Sequence, residues 1–356
     1  MITSLIRSNL RNFKPYRTAR SLYPAPLKGY GASQKGVFLD ANENSIGSVI
    51  KTSIDANLNR YPDPNNLDLR KALGKFLGIS EKNIFVGNGS DEAIDLLIRL
   101  LVEAGEEIMV VEPTYGMYRV AANLAGVKVK SFLMEKDFSV DFGKLIENIS
   151  KKTKIIFVCS PNNPTGGVIE KTNIARLCKN FKGIVVVDEA YIEFASAGSL
   201  VSKAAELENL VVLRTFSKAW GLAGIRVGYA VAKEIVIEYL NKIKVPYNLN
   251  RISAKFAIKA LNQYAKMIKF KEAILRQRDK LAGDLADLGF EVFPSEANFL
   301  LVRKPQASKL AEKLGKDFGV IVRNFDDRPL LKDCVRISVG TPGENNLLIK
   351  ALSKII

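Results

Sequence analysis

Four short apolar runs constrain this chain more than any other feature. Glu107-Ile-Met-Val-Val111, Lys154-Ile-Ile-Phe-Val158, Gly183-Ile-Val-Val-Val187 and Leu210-Val-Val-Leu213 are continuous rather than alternating. A strand with one wet face alternates apolar and polar residues, so continuous Val/Ile runs belong to strands buried on both faces. Helical segments separate the runs. The pattern predicts an α/β fold built on a mostly parallel sheet. In such sheets ligands bind beyond the carboxyl ends of the strands. Each run leads into a polar cluster there: Pro113-Thr-Tyr-Gly-Met-Tyr118, Ser160-Pro-Asn-Asn-Pro-Thr-Gly-Gly167, Asp188-Glu-Ala-Tyr191, and Thr215-Phe-Ser-Lys-Ala-Trp-Gly-Leu-Ala-Gly-Ile-Arg226.

An earlier segment, Asn83 to Leu97, reads as strand, glycine turn and helix. Ser90 is the expected N-cap, with Asp91 and Glu92 in the first turn. Free N–H groups and the helix dipole make such an end a phosphate cradle, with Gly89 and Ser90 at the ligand. The turn is not a dinucleotide fingerprint, because Glu92 stands where the third glycine is required. Gly-x-x-x-x-Gly-Lys is absent as well.

From about Arg251 the pattern changes to one long helical segment, Ile252 to Leu288, followed by short strands and helices. This predicts a large domain over 36–250 and a smaller α+β domain over 251–356. Residues 1–35 read as an N-terminal arm. Residues 1–39 hold seven Lys or Arg and no acid, which also resembles a transit peptide, but Asn12-Phe-Lys-Pro-Tyr16 has the anchors of a packed arm. Asn59-Arg-Tyr-Pro-Asp-Pro64 is a proline-stiffened loop that displays Tyr61.

Composition narrows the chemistry. The chain has no histidine, which excludes Ser-His-Asp and Cys-His catalysis and histidine-based zinc sites, so protons must move on lysine, tyrosine or carboxylates. Three scattered cysteines suit a reducing compartment and make no metal site. No apolar run reaches the ~18–20 residues of a membrane helix, so the expectation is a soluble, cytoplasmic protein. The net charge of +16 is spread along the chain without a nucleic-acid-binding motif, so the expected partners are anionic small molecules rather than nucleic acid or membrane.

A single lysine is ordinarily a solvated surface charge, so Lys218 gains meaning only from the clusters around it. Pyridoxal phosphate requires a lysine for its Schiff base, a carboxylate at the pyridine nitrogen, donors at the phenolic oxygen and a cationic, N–H-rich phosphate site. Lys218, Asp188, Tyr191 with Asn163, and Gly89, Ser90, Ser217 and Arg226 are candidates for these in turn, with Tyr115 available to stack on the ring. Asp188 taken alone is equally an ordinary helix-capping carboxylate.

Ser160-Pro-Asn-Asn-Pro-Thr-Gly166, Asp188-Glu-Ala-Tyr191 and Ser217-Lys218 followed by Arg226 resemble, in order, motifs of the aspartate-aminotransferase superfamily of pyridoxal-phosphate enzymes. Arg11-Asn-Phe-Lys-Pro-Tyr16, Asn42-Glu43, Arg60-Tyr-Pro62, Pro113-Thr-Tyr-Gly-Met-Tyr118 and Val335-Arg-Ile-Ser-Val-Gly-Thr341 are similar to segments of its histidinol-phosphate aminotransferase family. The resemblance implies a three-layer sheet of the pyridoxal-phosphate fold type I kind. It implies Lys218 as Schiff-base lysine and proton carrier, Asp188 at the pyridine nitrogen, and Asn163 and Tyr191 at the phenolic oxygen. Gly89, Ser90 and Asp91 belong to a looser match. Tyr61 would reach the cofactor phosphate of a neighbouring subunit, giving a homodimer with shared sites. Arg323 and Arg336 would hold the substrate phosphate or the carboxylates of glutamate, with Tyr16 and Asn42 also at the substrate. The implied reaction moves an amino group between histidinol phosphate and 2-oxoglutarate. A threonine-phosphate decarboxylase and a broad aromatic aminotransferase are the alternatives within the fold; a non-catalytic pyridoxal-phosphate-binding regulator is the alternative outside it.

Overall fold

The computed structural model describes residues 37–47 and 61–356. Tyr16, the rest of the expected arm and Arg60 lie outside the described residues.

Twelve strands are present among them: β1 Val37–Leu39, β2 Ile84–Asn88, β3 Glu107–Glu112, β4 Lys128–Leu133, β5 Thr153–Cys159, β6 Ile184–Asp188, β7 Leu210–Thr215, β8 Val227–Val231, β9 Glu291–Val292, β10 Phe299–Arg303, β11 Val320–Asn324 and β12 Cys334–Ser338. Seven form one sheet in the order β2-β8-β7-β6-β5-β3-β4. Strands β4, β3, β5, β6 and β7 run parallel, and β8 is antiparallel to both β7 and β2.

The four apolar runs lie in β3, β5, β6 and β7, at the centre of the sheet. Successive residues there feed opposite cores. Val185 and Val187 of β6 join one hydrophobic cluster with Ile156, Val158, Met109 and Val111. Val186 joins the other with Ile155, Phe157, Ile108 and Val110. Each fully buried Val or Ile contributes about 1.5–3 kcal/mol, so both faces are covered and the strand ends are held in register. Edge strand β4 differs, carrying Lys128 and Lys130 on a partly exposed surface, as an unpaired edge requires.

The second sheet has the order β1-β11-β12-β10-β9, with β1 parallel to β11 and the other pairs antiparallel. Here the structure departs from the expected division at 36 and 250. Strand β1 pairs with Val320–Val322 in the small sheet rather than joining the large one. The expected single helix over Ile252–Leu288 is two, Arg251–Leu261 and Tyr264–Asp287, interrupted at Asn262 and Gln263. Ala257, Ala260, Met267 and Ile274 belong to a core of the large sheet, whereas Leu281 and Leu285 belong to the core of the small one. The second helix thus spans both cores, and packing changes partway along it.

Candidate active site

The carboxyl ends of β5, β6 and β7, the turn after β2, residues 40–43 and the arginines of β11 and β12 enclose a cavity of about 270 Å³. Lys218, three residues beyond β7, reaches into it. Its Nζ donates to the Ala41 carbonyl at 3.0 Å and lies 5.5 Å from the centre of the Tyr191 ring. Burial, and then the nearby Arg336 cation, pull its pKa down to about 8. A useful fraction is therefore the neutral, nucleophilic amine near neutrality.

Asp188 closes β6, paired in register with Cys159 of β5. Its buried carboxylate accepts from the Tyr118 hydroxyl at 2.7 Å and the Ala190 N–H at 3.1 Å. Burial outweighs those donors and raises its pKa to about 6. Tyr118 is itself fully buried and stacked on Phe157 at 4.7 Å. Burial first, and then the adjacent Asp188 charge, keep its phenol protonated. Tyr118 is thus a fixed donor that orients Asp188.

Beside them, the Tyr191 hydroxyl accepts from the Asn42 amide at 3.0 Å and from the Asn163 amide at 3.3 Å. The Asn163 carbonyl oxygen in turn accepts from Arg336 Nη1 at 2.5 Å, and Arg336 Nη2 donates to the Asp40 carbonyl at 2.5 Å. Ser338, two residues along β12, accepts from the Asn42 N–H at 2.7 Å. This network ties the small sheet to the polar ends of the large one.

The opposite end of the cavity gathers hydrogen-bond donors at a helix N-terminus. Gly89, with φ of 74°, takes the cap position of the Ser90–Leu101 helix, so Ser90 is its first residue rather than the expected N-cap. The reason is a close approach: a Cβ on Gly228 of β8 would lie 2.2 Å from the Ser90 nitrogen, and one on Gly89 would lie 2.6 Å from Arg226 Nη2. Only glycines let the turn, β8 and the arginine meet. Arg226 adopts the left-handed conformation, its carbonyl accepts from the Gly89 N–H at 3.0 Å and its guanidinium pairs with Asp91 at 3.3 Å. Tyr115 donates to the other Asp91 oxygen at 3.0 Å. The helix N-terminus, Arg226 and the Ser217 hydroxyl form a concave, donor-rich surface suited to a phosphate.

The cavity wall thus brings together Lys218, Asp188, Tyr191, Asn163, Gly89, Ser90, Asp91, Tyr115, Ser217, Arg226, Asn42, Arg323 and Arg336. Tyr61 is not among them. It is 77% exposed, with its ring 4.6 Å from that of Tyr247 and its carbonyl accepting from Arg251. Tyr118 and the Ala41 carbonyl are parts of the site to which sequence reasoning assigned no role. The three-residue spacing of Tyr115 and Tyr118 was an available signal; a backbone carbonyl leaves none.

The profile described as "Aminotransferase class I and II" matches residues 34–352. A histidinol-phosphate aminotransferase of Cytophaga hutchinsonii is 43% identical over 354 residues, covering 99% of this chain and 98% of its own. The chain belongs to the class I and II aminotransferases, in their histidinol-phosphate aminotransferase family. The aminotransferase fold is shared with solved structures. One is histidinol-phosphate aminotransferase of Sinorhizobium meliloti in complex with pyridoxal-5'-phosphate, at TM-score 0.87, 24% identity and 99% coverage of both chains. Another is L-threonine-O-3-phosphate decarboxylase of Porphyromonas gingivalis, at TM-score 0.74 and 25% identity, covering 90% of this chain and 99% of its own. As in other members of this fold, the aminotransferase carries a seven-stranded, mostly parallel sheet beside a smaller one. No helix among the described residues is long and apolar enough to cross a membrane.

Proposed function

We propose that this aminotransferase uses pyridoxal phosphate to move an amino group between L-histidinol phosphate and 2-oxoglutarate, giving imidazole acetol phosphate and glutamate in histidine biosynthesis. Full-length similarity to a histidinol-phosphate aminotransferase carries the substrate assignment. The cavity supports the cofactor assignment. Burial of Asp188 outweighs its two donors and the Lys218 charge and holds it at about 6, and a protonated ring nitrogen beside it would restore its charge. At Gly89 the missing Cβ lets the Arg226 guanidinium come up against the helix N-terminus, where it would face the cofactor's phosphate. Lys218, Asp188, Tyr191 with Asn163, and Ser90, Ser217 and Arg226 fit the four parts of the cofactor.

Bound there, pyridoxal phosphate supplies an electron sink for the bond broken at the substrate's Cα. Lys218 would hold the cofactor and, with its amine free, would carry the proton lost from the substrate's Cα. Asp188, steadied by Tyr118, would keep the ring nitrogen protonated. Tyr191 and Asn163 would hold the phenolic oxygen, and Tyr115 is available to stack on the ring. Arg323 and Arg336 take the phosphate of one substrate and a carboxylate of the other, with Asn42 beside them. Exposed Tyr61 serves the site of a second subunit, which makes the enzyme a homodimer with shared sites working in the cytoplasm.

An amino-donor panel with 2-oxoglutarate tests this reading. Histidinol phosphate should exceed phenylalanine and aspartate by about 100-fold in kcat/KM, since two charge-assisted contacts to its phosphate are missing for a donor without one. Release of carbon dioxide from threonine phosphate, at a rate above transamination of histidinol phosphate, would replace it with the decarboxylase reading.

A further inference from the structure

Antiparallel pairing sets Arg323 of β11 directly opposite Arg336 of β12. Both reach the cavity, and like charges in directly opposed positions repel. One side chain touches both. Phe325 follows Arg323 by two residues and so shares its face. Its ring centre lies 5.6 Å from the guanidinium carbon of Arg323 and 5.5 Å from that of Arg336. Arg336 also lies 5.3 Å from the ring of Phe299 on β10, which meets Tyr191 edge-on at 5.1 Å. An aromatic series therefore runs from the β11–β12 loop through Arg336 to the reacting end of the cavity. Phe325 itself does not line the cavity; it is half-buried and packs beside Leu301, Leu331 and Cys334.

We propose that Phe325 is a positioning residue for anion recognition: its ring holds Arg323 and Arg336 in one shared grip on the anionic group of the substrate. This rests on the reading above that the two arginines take that group. The negative face of the ring attracts both cations, which offsets part of their mutual repulsion. It also restricts two long side chains before the substrate arrives, so less rotamer freedom is lost on binding. An aliphatic side chain of similar size would keep the packing against Leu301 and Leu331 and lose both effects.

The test compares Phe325→Leu, Phe325→Met and Phe325→Tyr in the cofactor-loaded enzyme. Two readouts are taken: KM and kcat for histidinol phosphate, and the affinity for inorganic phosphate measured by thermal shift. Loss of two such contacts corresponds to about ten-fold. Leu and Met should raise KM and weaken phosphate binding by about that factor, with kcat and the visible absorption of the bound cofactor kept within two-fold. Tyr, which keeps the ring face, should remain near wild type. The proposal is overturned if Leu and Met leave both quantities within two-fold, or if Tyr falls as far as they do. Phosphate binding does not depend on which amine reacts. A wild-type enzyme inactive on histidinol phosphate would therefore sink the substrate reading and leave this comparison standing.

Discussion

Replacing Lys218 by alanine is expected to lower transamination by about 10,000-fold or more, because the proposed reading makes one side chain both the cofactor's attachment and the proton carrier. The fold should survive. Lys218 is only partly buried, and its bond to the Ala41 carbonyl is a single hydrogen bond, so its loss costs about 1 kcal/mol. The checks are turnover with histidinol phosphate, thermal melting, and the visible absorption of the loaded enzyme, which should vanish with the amine. The same lysine sets how the cofactor-free enzyme takes up cofactor. With its pKa drawn down to about 8, the neutral amine grows from a minor to the major form as pH rises from 7 to 9, and the loading rate should rise in step.

Asp188→Asn should separate function from stability, because the two change in opposite directions. Activity should fall by about 1,000-fold, since an amide cannot hold a proton on the ring nitrogen and the ring then accepts electrons poorly. The cofactor-free protein should gain stability at pH 8. An aspartate titrates near 3.9 when unfolded, and Asp188 is raised to about 6 in the fold. The native state therefore holds the proton more tightly. What this contributes to stability is fully present below pH 4 and is lost as pH rises through 6. The ionised group then costs about 3 kcal/mol. An amide can still accept from the Ala190 N–H and meet the Tyr118 hydroxyl, the two partners of the carboxylate. Melting of the cofactor-free variant should therefore rise relative to wild type at pH 8 and converge with it at pH 4. Equal loss of stability at both pH values would make Asp188 a structural carboxylate.

The sequence was informative wherever local pattern decides the outcome. β3, β5, β6 and β7 are continuous Val/Ile runs because both faces are buried, and the polar residues that follow them are adjacent in the chain. Lys218, Asp188, Tyr191 and Asn163 could be found for that reason. Features that depend on distant pairing were not legible. Val37–Leu39 is too short to announce a partner more than 280 residues away. The register that sets Arg323 against Arg336, and the ring of Phe325 touching both, exist only once β11 and β12 are paired. Tyr118 has no assigned role until its hydroxyl is seen 2.7 Å from Asp188. The mixed spacing across 252–288 reads as one helix because apolar residues continue past Asn262 and Gln263, where the backbone stops and restarts.

Convergence of the strand ends on one cofactor, held at one lysine, is tested most directly by hydride trapping. The enzyme is loaded with pyridoxal phosphate, reduced with borohydride, digested, and its cofactor-bearing peptide sequenced by mass spectrometry. The label is expected on Lys218, at close to one per chain, and it should be absent when histidinol phosphate has first discharged the cofactor as its amine. A label on any other lysine, or one that histidinol phosphate does not remove, would contradict the account.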